Sequence, residues 1–161
     1  MDLKEAIIKI EESNDFEEKL KNKQLCSAIS FTDEKNEPTK WEINYFNDES
    51  GKITRVVVDD TVEIFKEDEL FKKDAVSPID ISLVHITATE ALKIAADENE
   101  KNYKQPVQKM FVALHSENPP VWSVNIITKL LTVIQMKLSV DSGKILDIKT
   151  HNMFQGKGVA K

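Results

Sequence analysis

One cysteine, four glycines and a single arginine among 161 residues remove several classes of explanation before any motif is read. Cys26 alone cannot close an intramolecular disulfide, so nothing in the chain demands an oxidising compartment. The glycines stand at 51, 143, 156 and 158, with no glycine-rich turn leading into a helix, which excludes a phosphate cradle. His85, His115 and His151 are the three histidines. No two of them share a helical turn, as a zinc site built on one helix needs, and no metal or cofactor is expected.

Long apolar runs are missing too. No stretch approaches the roughly 20 residues that cross a bilayer as a helix. The opening Met1-Asp2-Leu3-Lys4-Glu5 carries acids where a secretory signal has a basic and then an apolar region. As it stands the chain is expected in the cytoplasm, or outside it if a signal peptide has been removed. Charge divides unevenly: residues 1–80 hold 12 basic and 21 acidic side chains, and residues 81–161 hold 10 and 7. Neither half has the cationic stripe of a nucleic-acid surface. The opposite net signs either reflect two independent solvated surfaces or help the halves, or two copies in a homodimer, to dock.

What is present is an order of elements written twice. Ala6 leads 35 positions on to Trp41, and Ala91 leads 31 on to Trp122. From the tryptophans it is 18 positions to Asp59 and 19 to Asp141. Leu3, Ala6, Ile7 and Ile10 fall at the spacing of one helix face, after Asp2 and with Glu5 three residues on, the signature of a capped start. Asn14 with Glu17 predicts a second helical segment over 15–23. Thr87 and Glu90 form a clearer capping box, ahead of the small-residue face Ala88, Ala91, Leu92 and Ala95. Alternation predicts strands over 25–31, 41–45, 53–58 and 62–65, then over 109–115, 121–127, 131–140 and 144–149. Residues 97–107 read as a polar loop ending at Pro106.

The expected fold class is therefore α+β: a tandem duplication of a helix packed on a four-stranded antiparallel sheet. The units would span 1–70 and 87–151, with a connector at 71–86 and a flexible tail at 152–161. A unit of that size has a marginal core of its own and would hide its apolar face against its copy.

Thr87-Ala88-Thr89-Glu90-Ala91-Leu92-Lys93-Ile94-Ala95 at the start of the second unit, Trp122-Ser123-Val124 in its middle and Ser139-Val140-Asp141-Ser142-Gly143-Lys144-Ile145-Leu146 at its end resemble the PepSY family. The first unit has Val58-Asp59-Asp60-Thr61-Val62 where the second has its Asp-x-Gly turn. The resemblance covers most of the chain as a tandem pair. It implies a non-catalytic α+β module of the kind found in peptidase propeptides, cell-envelope proteins and regulators, one that binds or inhibits peptidases. It brings no catalytic residues.

On the residues themselves, a binding or regulatory module acting on a protein or peptide partner ranks first. A small-ligand binder with an apolar pocket between helix and sheet is the alternative, and an enzyme ranks last. Trp41, Tyr45 and Trp122 are the candidate contacts: they either cover the core or line a surface that meets a peptide or apolar ligand. Asp59-Asp60 and Asp141-Ser142 read as turns, because aspartate bonds its own following backbone, and neither loop has the oxygen donors of a calcium site. Cys26 reads as a buried small hydrophobe.

Overall fold

The computed structural model describes residues 1–69 and 76–153. The chain builds α1 (Leu3–Glu11), α2 (Phe16–Lys19), β1 (Gln24–Thr32), β2 (Pro38–Phe46), β3 (Lys52–Val58), β4 (Val62–Ile64) and β5 (Asp68–Glu69). After the connector come a short 3-10 turn at Ile81–Leu83, α3 (Ala88–Glu98), a π-helical turn at Asn99–Tyr103, β6 (Val107–His115), β7 (Val121–Thr128), β8 (Thr132–Ser139) and β9 (Ile145–Asn152). The strands form one antiparallel sheet in the order β4-β3-β2-β1-β6-β7-β8-β9, with β5 pairing beside β4 on β3.

That sheet corrects the expected architecture of a helix on a four-stranded sheet. The structure is a continuous eight-strand path with few helices. The reason is the pairing of β1 with β6, Ser27 opposite His115 through Phe31 opposite Phe111. Each of these strands would be an open edge in a four-stranded half, and an unpaired row of amides and carbonyls is costly unless another strand covers it.

The helices cover one face. Leu3, Ala6, Ile7 and Ile10 of α1 and Ala88, Ala91, Leu92 and Ala95 of α3 are the buried residues of those helices. They join Phe16, Ile79 and Val84 in one core with the inward side chains of the sheet. At its centre Trp41 and Trp122 are fully buried, with ring centroids 6.3 Å apart and planes tilted by 46°. Trp41 lies beside Ser30 and Trp122 beside Leu114, which pairs with Ala28. These short β1 side chains leave space for the two rings to meet across the sheet's midline. Each indole N–H also donates to a backbone carbonyl just ahead of a helix: Trp41 to Met1 at 3.0 Å and Trp122 to Ile86 at 2.8 Å. The same ring thus fills the core and fixes where its helix begins, and its one polar atom is satisfied.

Several local expectations change. The helical segment expected over 15–23 shortens to α2, because Leu20 turns inward and the chain then enters β1. The polar stretch after α3 is ordered as the π-helical turn, where buried Asn99 donates to the Gln105 carbonyl at 3.0 Å and accepts from its amide at 3.3 Å. The expected tail begins inside β9 at Asn152, and its remainder from 154 lies outside the described residues, as do positions 70–75 of the first unit and connector. Gly143 has φ +78°, and a Cβ there would lie 2.7 Å from Ile94 Cδ1. The left-handed backbone is what the β8–β9 turn needs glycine for, while the Ile94 methyl would have to move aside for any Cβ.

Cys26 occupies a register shift between Leu25 and Ser27, where β1 carries one residue more than its partner strand. Its thiol is buried and donates to the Asn44 carbonyl at 3.3 Å. Burial pushes the thiol up to about 11, against a weaker opposing hydrogen bond with Ser27. No helix among the described residues is long and apolar enough to cross a membrane.

Two outcomes are expected from this architecture. Unfolding by denaturant should be one transition, and Trp122→Ala should cost about 3–5 kcal/mol, because the ring belongs to both halves of the core. Separating the chain near Pro78 bares the β1 and β6 edges, so fragments 1–78 and 79–161 should lack a cooperative thermal transition by circular dichroism. A fragment that melts cooperatively contradicts the single-core account. The second outcome concerns pH. A raised thiol pKa means that the unfolded chain ionises first, so this contribution to stability is whole below pH 9.0 and is lost as pH rises to about 11. Cys26→Ala should flatten that fall by about 2 kcal/mol. Tyr45, whose phenol burial also raises, drops out of the comparison because both proteins carry it.

Candidate functional site

The opposite sheet face carries no helix, and its side chains follow from the alternation along each strand. One cross-strand row runs Val57, Glu42, Ile29, Ala113, Ser123, Lys137 and Asp147. A second runs Phe31, Phe111, Asn125, Gln135 and Lys149. Arg55, Asn44, Ser27, His115 and Val121 make a third.

The middle of this face is polar and held in place. Asn44 Nδ2 donates to Ser27 Oγ at 3.0 Å, while Asn125 Nδ2 and Gln135 Nε2 both donate to Ser123 Oγ at 3.3 Å. Ser123 is fully buried and Asn125 and Ala113 nearly so, enclosed by longer neighbours on their own face. Beside this band Phe31 and Phe111 meet with centroids 5.3 Å apart, and Lys109 Nζ sits 4.8 Å above the Phe31 ring. Phe31 remains 47% exposed. Its open side, near the end of β1, is an apolar surface suited to contact.

Charged groups frame the band. Arg55 packs 4.1 Å from the Phe65 ring centroid and 3.7 Å from Glu42. The two line a cleft of about 390 Å³ with Asn44, Ile53, Lys66 and Asp68. Lys137 and Glu117 pair at 2.6 Å. Burial holds the neighbouring His115 imidazole below the usual histidine range, with Glu117 opposing and Lys137 adding to the shift. On the helix side Lys23 pairs with Glu67 and donates to Thr54 Oγ1 at 2.8 Å. The hydrogen bond from Lys23 to Glu67 and the Lys23 charge hold the Glu67 carboxyl below its ordinary value.

The sequence-based candidates Trp41, Tyr45 and Trp122 are all buried on the helix side. The space beside Trp122 is about 30 Å³, room for about one water molecule. None of the described clefts is lined by Trp41 or Tyr45. His85 Nδ1 lies 2.6 Å from Asp141 on an exposed turn, and among the described residues no hydroxyl or thiol bonds to a histidine. No group of three metal-ligating side chains converges among the described residues. Asp59 accepts from the Thr61 amide and hydroxyl, so its carboxylate serves its own turn and stays low in pKa through those bonds. What the helix-free face offers chemically is hydrogen bonding by the part-exposed Ser27, Asn44 and Gln135 side chains next to an apolar aromatic pair. Sequence reasoning missed it, although a signal was there: Ile29-Ser30-Phe31 and Phe111-Val112-Ala113 break the polar alternation of a half-exposed strand.

Comparison with known proteins bears on the fold. No family model and no curated protein matches the sequence. A solved structure from Clostridium difficile 630, provisionally described as a lipoprotein, is similar with a TM-score of 0.59 at 17% identity, over 86% of this chain and 89% of that one. At that identity the likeness concerns the arrangement of the backbone alone.

Proposed function

We propose that this chain is a non-catalytic binding module that holds a protein partner against its helix-free sheet face. The observation that carries the reading is the half-open Phe31 ring, backed by Phe111, beside the part-exposed side chains of Ser27, Asn44 and Gln135, which hydrogen bonds already fix. An aromatic anchor flanked by preorganised polar groups is the usual composition of an interface hot spot, since little freedom is left to lose on binding. The resemblance to PepSY modules supports a peptidase as the first partner class to assay. The description of the structural neighbour as a lipoprotein supports an extracytoplasmic setting for the module.

Peptides selected from a display library against the intact chain provide the test. Amide shifts on binding are expected along β1, β6 and β7, and Phe31→Ser with Phe111→Ser should weaken binding at least about tenfold, each aromatic anchor being worth about 1–2 kcal/mol or more. Phe31→Ser alone should leave the melting temperature little changed, because Phe31 is half open to solvent in the free protein. Binders that shift only helix residues, or that tolerate both serines, would refute the assignment.

A further inference from the structure

The two edges of the sheet are unlike. At one end β4 has three residues and β5 two, both lying on β3, a blunted edge of the kind that resists strand addition. At the other end β9 runs for eight residues, Ile145–Asn152, and among the described residues the one strand paired with it is β8. The Met153 amide donates to the Leu131 carbonyl at 2.8 Å. Counting back by twos, 151, 149 and 147 turn their amides toward β8, and Ile148 and Thr150 turn theirs outward. Exposed Leu146 stands beside the same edge.

We propose that this edge pairs with itself: a second copy of the chain adds antiparallel to β9 about a two-fold axis at Ile148. Charge selects the register. Asp147 and Lys149 are both exposed on the helix-free side, 3.9 Å apart. Opposite residues in an antiparallel pair must share an orientation, which restricts the axis to a residue position. An axis at Asp147 sets that acid against its own copy, and one at Lys149 sets lysine on lysine. Of the axes between Leu146 and Thr150, only Ile148 puts Asp147 opposite the partner's Lys149, and by symmetry does so twice. Half-buried Ile148 then meets the partner's Ile148 at the rim of the core. The outward amide of Thr150 comes opposite the partner's Leu146. Because the β4 edge is blunted, the pairing closes at two copies. The dimer extends one sheet across both chains and stands independently of what the helix-free face binds.

Sedimentation equilibrium on the intact chain tests this. A monomer–dimer equilibrium that weakens with added salt is expected. Lys149→Glu sets acid against acid and should weaken the dimer at least about tenfold, because two attractive charge pairs turn repulsive. Adding Asp147→Lys to Lys149→Glu restores the complementarity and should restore the dimer. Thr150→Pro deletes an outward amide that has no partner strand among the described residues, so it should abolish the dimer while the monomer's circular dichroism is kept. A chain that stays monomeric up to about 1 mM, the weakest affinity of interest, overturns the proposal. So does a dimer indifferent to Lys149→Glu, or a charge swap that fails to restore it.

Discussion

The pairing of β1 with β6 is the interaction on which the rest depends. Each strand is the inner boundary of its own meander, and each would present an open edge if the meanders stood apart. Joining them removes both edges and brings Trp41 and Trp122 within contact over the small side chains Ala28 and Ser30. These strands lie far apart in sequence, so the join requires a long loop to close first. That entropic cost is recovered only when the shared core forms. Cooperativity between the halves follows from this, because neither tryptophan is shielded until both are.

The tryptophans also set the asymmetry between the two faces. By bonding Met1 and Ile86 just ahead of the helices, they hold α1 and α3 to one side of the sheet. The other side is left to side chains that must satisfy one another. Ser27 with Asn44, and Ser123 with Asn125 and Gln135, do so within the face, which lets polar groups sit in the middle of a broad sheet at little desolvation cost. Phe31 and Phe111 have no such requirement to meet, and Phe31 is left half open, which is why this face, and not the packed helix side, carries the functional reading.

Much of the local structure was legible in the residues. The buried faces of α1 and α3, the capping of α3 by Thr87 and Glu90, and eight of the strands follow from periodicity, because the pattern of apolar side chains reports which side of an element is dry. The placement of the candidate contacts was not legible in the same way. Trp41 and Trp122 suited the core first, but a contact surface stayed open for them and for Tyr45, since a large amphipathic ring serves in either. Phe31 fell within the strand expected over 25–31, and its apolar side chain on the outer face was a signal left unread.

The sequence by itself determined element type, capping and the side of each strand that faces inward, all properties of spacing within a few residues. Only the tertiary structure decided that β1 and β6 join the halves into one sheet, that the indoles meet at its centre and that Phe31 and Phe111 lie side by side on the uncovered face. Those outcomes depend on which strand edge meets which. Backbone hydrogen bonding is the same for every residue but proline, so an edge carries almost no mark of its partner until the chain has folded.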